Sequence, residues 1–173
     1  MHKWLVFFLV FFSFHNASAS KSVQRKVTIN AELALNTCTL SLSPANLNFQ
    51  QIGFSQFENN ATTPQTVDLN IACSWPATGI SLKFSPAAGV STSSTNLMKT
   101  GLSGVGLALS WKNASGTDFT PLELNKSFVP ASTALSNKNE TLGQFQLLPK
   151  KIPEETLQAG NISTSLTVEV TYD

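Results

Sequence analysis

The clearest pattern in the chain is an alternation of apolar and polar residues that recurs in short stretches. A period of two is typical of a β-strand with one buried face. Stretches with this pattern are Val27–Leu33, Val67–Cys73, Ile80–Phe84, Val105–Trp111 and, more weakly, Phe145–Leu148. Glycine, proline, asparagine and serine separate them, and no window shows a sustained helical stripe. Many short strands with turn residues between them predict an all-β sandwich in a single domain.

The same alternation closes the chain. Between Ile162 and Tyr172 every second residue is apolar except Thr164, and only Asp173 follows. Chain termini normally fray, so an amphipathic strand at the end of a chain needs a neighbour that covers its apolar face. We therefore expect the missing neighbour of this strand to come from elsewhere.

The amino terminus has the pattern of a secretory signal peptide. A positively charged start, Met1–Lys3, precedes the apolar run Trp4–Phe14, and Ala17–Ala19 fits an A-x-A cleavage motif. A membrane anchor is the alternative, but a spanning helix needs about 20 apolar residues. We expect residues 1–19 to be removed and the mature chain to be exported and soluble, without membrane insertion.

Composition narrows the range of functions. The chain has eleven basic and ten acidic side chains, and Lys3 belongs to the predicted signal. A neutral balance without a basic cluster argues against nucleic acid as a partner. Both histidines, His2 and His15, also lie in the signal, which excludes Ser-His-Asp or Cys-His catalysis and imidazole metal sites from the mature chain. We expect no catalytic residue, no metal and no cofactor.

The two cysteines, Cys38 and Cys73, are an even pair in a chain predicted to be exported. A disulfide is the default for such a pair. Closing a loop of about 35 residues would stabilise the fold by roughly 3.8 kcal/mol in the loop-entropy description. A free catalytic thiol is the alternative, but the mature chain offers no histidine to activate it.

Together these features resemble a chaperone–usher pilin, and most closely the minor subunits of type 1 pili. The resemblance covers residues 20–173. The features that carry it are the signal, the alternating strand before Cys38, the position of Cys73, Ala61–Pro64, Gly104–Leu107, and the closing stretch from Ala159–Gly160 through Thr164 to Tyr172. It implies an incomplete immunoglobulin-like β-sandwich that lacks its seventh strand. Residues 20–34 would be a donor-strand extension, and residues 35–173 the pilin domain.

The function that the resemblance implies is that of a structural subunit of a bacterial surface pilus that contributes to cell adhesion. Its partners would be a periplasmic chaperone, an outer-membrane usher and neighbouring pilin subunits. Alternate side chains of the donor strand would fill pockets in a neighbour, namely Val27, Ile29, Ala31 and Leu33. The edge covered by the chaperone and later by an incoming donor strand would comprise Leu166, Val168, Val170, Tyr172 and Asp173.

One position departs from the family pattern. The family usually has glycine where this chain has Ala31, seven residues before the first cysteine. Alanine is the smallest step up in size, so donation should survive, with a looser fit or a changed choice of partner. The alternative interpretation of residues 21–33 is an ordinary first strand in a closed sandwich.

Two other functions are alternatives to this one. Trp75 and Trp111 could stack on sugars, as in a carbohydrate-binding adhesin domain of the same fibre, although core or turn packing is the commoner role. Tip adhesins, however, carry a lectin domain ahead of the pilin domain, and few residues precede Cys38 here. A secreted enzyme would need an acid pair facing across a cleft, whereas Glu154–Glu155 is adjacent in a predicted loop.

Overall fold

The computed structural model describes residues 37–131 and 139–173. The predicted signal and the predicted donor residues Val27, Ile29, Ala31 and Leu33 lie outside the described residues. The elements of the described part are the strands β1 Cys38–Ser43, β2 Gln65–Cys73, β3 Ser81–Pro86, β4 Leu97–Lys99, β5 Val105–Asn113, β6 Thr120–Pro121, β7 Ser127–Phe128, β8 Asn139–Lys151 and β9 Leu166–Thr171, and the short helix α1 Phe54–Glu58.

The strands form two antiparallel sheets. The larger sheet has the order β1–β2–β8–β5–β4, with β6 also paired to β5, and the smaller has the order β7–β3–β9. Their inner faces share one core, because buried side chains from β2, β5 and β8 cluster with those from β3. The predicted all-β sandwich is confirmed.

Aromatic side chains join the two sheets at the centre of this core. Phe84 of β3 lies edge-on to Phe145 of β8, with ring centroids 5.2 Å apart. Trp111 of β5 meets Phe128 of β7 in the same way, at 5.4 Å. Edge-to-face pairs add roughly 0.5–1.5 kcal/mol to the burial of the rings themselves. Trp111 is therefore a core residue, only 4% exposed, rather than a platform for sugars.

Strand β8 extends well beyond the predicted Phe145–Leu148. The sequence pattern does not show its full length, because Gly143 and Pro149 interrupt the apolar alternation. Gly143 lies against Trp111, and β2 and β8 shift register beside it. The carbonyl of Pro149 accepts a hydrogen bond from Thr62 Oγ1 at 2.5 Å, past the residue at which β2 begins. A strand residue points its N–H and its C=O to the same edge of the strand. The N–H that proline lacks would therefore face the β2 side, where β2 does not extend and no ladder bond is needed.

The closing strand is shorter than the predicted Ile162–Tyr172. Leu166 is the first paired residue because it stands opposite Pro86, the last residue of β3. The alternation of half-buried and exposed residues nevertheless continues from residue 161 to 173. The N–H of Ala87 still donates to Ser165 O at 3.0 Å, whereas Ile162–Thr164 keeps its strand-like pattern although β3 extends no further to pair with it.

Candidate strand-accepting groove

Two strands lie at the edges of their sheets on the same side of the core. β1 pairs only with β2, and β9 pairs only with β3, as far as the described residues extend. An edge strand presents a row of backbone N–H and C=O groups to any chain that can align with it. β1 and β9 therefore provide two such rows, one from each sheet.

The apolar side chains of both edge strands pack on the core without being fully covered. The central strands bury theirs completely, as Leu69 and Leu82 show with 0% exposure. In β1 and β9 the inward side chains are only partly buried, although they touch the same core cluster; these are Cys38, Leu40, Leu42, Leu166, Val168 and Val170. The core thus lacks cover along the side where the two edges face each other.

A cavity of about 1200 Å³ opens on this side, at the end where β1 finishes and β9 begins. Its inner wall is apolar and belongs to the core; it includes Val67, Met98, Leu107, Phe145 and Leu147. Its two rims are the segments 44–52 and 158–166. The volume exceeds the 300–1,000 Å³ that is usual for small-molecule pockets, and its elongated rims suit a peptide segment better.

The rim segments are held through hydrogen bonds to their backbone groups. Gln65 Nε2 donates to the carbonyl of Asn48 at 2.7 Å, which ties the first rim to β2. The N–H of Gln158 donates to Ser103 O at 3.2 Å, which ties the second rim to the turn before β5. Gly104 has φ +74°, and a Cβ there would collide with the backbone of Thr156 and Leu157, so only glycine allows this approach.

The opposite end of the two edge strands is closed. The hydroxyl of Tyr172 accepts a hydrogen bond from the N–H of Cys38 at 3.0 Å. Cys38 is also joined to Cys73 by a disulfide, with an S–S distance of 2.11 Å, and stands directly opposite it in the β1–β2 register. The predicted disulfide is thus confirmed, although Cys38 begins a strand rather than following one. Together these contacts bring the end of β9 onto the start of β1.

The carboxyl terminus is fixed at this closed end. Asp173 and Thr78 exchange backbone hydrogen bonds of 2.9 and 3.1 Å, which continue the β3–β9 ladder. Gly79, at φ +63°, provides the space in which the Asp173 side chain lies. Asp173 itself remains exposed. Asp173 is therefore held at a fixed place beside the sheet.

The structure separates the residues that were predicted to form the edge. Leu166 lines the cavity, whereas Val168 and Val170 pack on the core outside its lining and Tyr172 closes the far end. The rim 44–52 and strand β1 were not predicted from the sequence. The alternation in Cys38–Ser43 and the apolar residues at Leu47 and Phe49 were the available signals.

One polar atom of the rim stands out. Thr164 lies among the residues that line the cavity, and its Oγ1 is buried without a hydrogen-bond partner. Thr164 is also the polar exception in the alternation of the closing stretch. A buried hydroxyl without a partner costs about 1–3 kcal/mol, so Thr164 destabilises this rim.

Among the described residues, no group of three or more histidine, cysteine, aspartate or glutamate side chains is placed to hold a metal ion. No helix in the described ranges is both long and apolar enough to cross a bilayer.

Comparison with known proteins identifies the family. The model of the family described as "Fimbrial protein" matches residues 24–173. Protein FanG of Escherichia coli is 28% identical over 156 residues, which cover 90% of this chain and 87% of FanG. The crystal structure of the P pilus rod subunit PapA superposes with a TM-score of 0.52 at 16% identity, over 79% of this chain and 99% of PapA, and so shows the same fold. The chain therefore belongs to the fimbrial protein family and is a structural subunit of a surface pilus.

Proposed function

We propose that the groove between β1 and β9 accepts an extended segment of a neighbouring pilin subunit, and that this added strand joins subunits in the fibre. The observation that carries the proposal is the incomplete burial of apolar side chains on two facing edge strands. Those side chains already touch the core. One further strand between the edges would complete their burial.

The free energy of this step comes from two sources. The main chain of an incoming strand would pair with the edge of β9, and its alternate side chains would enter the cavity. Each fully buried aliphatic side chain contributes roughly 1.5–3 kcal/mol. A strand with several such side chains therefore gives a strong joint between subunits without any catalytic group.

The segment 20–34 of this chain is proposed as the strand donated in turn to another subunit. Support comes from the alternation of Val27, Ile29, Ala31 and Leu33, and from the family match, which starts at residue 24 and so includes them. A subunit that both accepts and donates a strand extends a fibre at both of its ends.

A periplasmic chaperone and an outer-membrane usher are proposed as assembly partners. An unpaired edge above an uncovered core promotes aggregation, so the chain needs a protecting strand before it reaches the fibre. The chaperone would cover Leu166–Tyr172, and basic side chains of its cleft would bind the carboxylate of Asp173. The fixed position and exposure of Asp173 support this arrangement.

The test is to supply the missing strand. Donor segments from subunits of the same fibre, including residues 21–33 of this chain, are fused behind Asp173 through a flexible linker. At least one fusion should be a soluble monomer with a much higher melting temperature than the unfused mature chain. The matched control carries aspartate at the central apolar position of the donor (Ile29→Asp in this chain's own segment) and should gain nothing. An unfused mature chain that is equally soluble and stable would show a closed sandwich and overturn the proposal.

A further inference from the structure

An exposed tryptophan lies at the closed end of the sandwich, beside Thr37, the first described residue. The N–H of Ser74 donates to Thr37 O at 2.9 Å, and the N–H of Thr37 donates to Ser74 Oγ at 3.1 Å. Trp75 follows directly and is 59% exposed. Tryptophan is among the residues most enriched at protein interfaces, so this degree of exposure points to a binding surface.

The length of the tether limits what can lie near Trp75 in a fibre. Only residues 34–37 separate Leu33, the last predicted pocket residue, from Cys38. An extended chain rises at most about 3.6 Å per residue, so the Cα atoms of Leu33 and Cys38, five positions apart, lie within about 18 Å of each other. A subunit that holds Leu33 in its groove must therefore lie next to the end of the sandwich that carries Trp75.

The geometry of the groove indicates which part of that subunit is nearest. The groove is open at the rims 44–52 and 158–166 and closed where Tyr172 contacts Cys38. A donor segment that is followed by a folded domain has to leave the groove at its open end. The sandwich that follows the donor segment then contacts the two rims of the accepting subunit through the end that carries Trp75.

We infer that the indole of Trp75 packs against the groove rims of the neighbouring pilin that receives residues 21–33. This rests on the proposed function and names the second contact between the two subunits. The chemistry favours a neighbour whose rims are like those of this chain, since neither these rims, residues 44–52 and 158–166, nor the segment 74–79 contains a charged residue. Contact with such rims requires no charge to be desolvated.

The experiment uses native fibres from cells that express the full chain and its variants. Wild type, Trp75→Phe and Trp75→Lys should all enter fibres, because the donor segment is intact. The difference between the wild-type and Trp75→Phe fluorescence spectra gives the emission of Trp75. In fibres this emission should be blue-shifted, and protected from quenching by acrylamide, relative to the chaperone-bound subunit. The Trp75→Lys subunit should dissociate from fibres in denaturant at least about tenfold faster, the factor that corresponds to 1.4 kcal/mol.

Val129→Lys is the matched control, because Val129 is an equally exposed apolar residue, at 63%. It should leave the dissociation rate unchanged. Solvent-like Trp75 emission in fibres, together with wild-type dissociation of Trp75→Lys, would overturn the inference. Loss of glycan binding in Trp75→Lys at unchanged fibre stability would do so as well and would assign Trp75 to sugar recognition. In both cases the donor-strand proposal stands if Ile29→Asp still blocks incorporation, and it falls if that variant enters fibres normally.

Discussion

The hydroxyl of Tyr172 and the backbone N–H of Cys38 are 3.0 Å apart, across 134 residues of sequence. This hydrogen bond joins the end of the closing strand in one sheet to the start of the first described strand in the other. It closes one end of the space between the edges and leaves the other end open as the cavity. An incoming strand can therefore leave the groove at its open end but not at the end that Tyr172 closes.

Replacing Tyr172 by phenylalanine should isolate the effect of that hydroxyl. The ring stays in place while the Cys38 N–H loses its partner, so the free energy of unfolding should fall by about 1 kcal/mol. Urea unfolding of freshly refolded mature chain at low concentration measures it. Thr171→Val is the control, because Thr171 and its partner Ser81 pair through exposed hydroxyls. Equal losses in both variants would contradict a specific role for Tyr172.

The disulfide should account for a large share of the stability. Because Cys38 and Cys73 close a loop with a sequence separation of 35, the double change Cys38→Ala/Cys73→Ala should cost about 2–5 kcal/mol. Chemical denaturation with and without dithiothreitol measures the effect. Reductant should lower the midpoint of the wild type and leave the double variant unchanged. A wild type that is insensitive to reductant after full thiol labelling would show that the bridge does not stabilise the fold.

Two threonines with buried hydroxyls should respond differently to replacement by valine. Thr164 Oγ1 has no partner, so Thr164→Val should leave the stability unchanged or raise it by about 1 kcal/mol. Thr100 is 2% exposed and donates to Val105 O at 2.7 Å, so Thr100→Val should cost about 1–3 kcal/mol. Melting temperatures of the two variants test the pair. A destabilised Thr164→Val would mean that its hydroxyl finds a partner in solution.

Gly143 should tolerate no side chain. A Cβ there would collide with the Trp111 ring and with Lys112 O, so Gly143→Ala should cost about 1–3 kcal/mol or more. Gly53→Ala is the matched control, since Gly53 has φ −77° and its nearest neighbour would be 3.7 Å away. The yield of each variant in complex with the proposed chaperone and its unfolding midpoint report the difference. A neutral Gly143→Ala would show that β8 can shift away from Trp111.

The donor segment can be tested by a pair of adjacent substitutions. In the proposed donor strand, Ile29→Asp would place a charge in a pocket of the neighbouring subunit, which costs several kcal/mol, so the variant should be absent from fibres. Its complex with the proposed chaperone should form normally, because the contact proposed for the chaperone is at Leu166–Tyr172. Thr28→Asp lies on the opposite face of the same alternation and should enter fibres. Misfolding of Ile29→Asp before assembly would favour the closed sandwich instead.

Local pattern was sufficient to predict the strands whose one face is buried. In β2 the residues Val67, Leu69, Ile71 and Cys73 alternate without exception, and all four are buried. The limits of β8 could not be predicted, because Gly143 and Pro149 break the alternation for reasons that lie in other strands. Gly143 is required by Trp111, and Pro149 is tolerated because β2 does not extend that far.

The sequence by itself determined the all-β class, the pairing of the two cysteines and the amphipathic character of the closing stretch. The class and the amphipathic character follow from a period of two, which relates close neighbours in the chain. The cysteine pairing follows from the presence of two cysteines in a chain predicted to be exported. Only the tertiary structure decided that Leu166 lines an opening while Tyr172, six residues later, closes its other end. That difference depends on where β3 ends and on which side chain faces Cys38, and contacts between residues so far apart in sequence leave no local pattern.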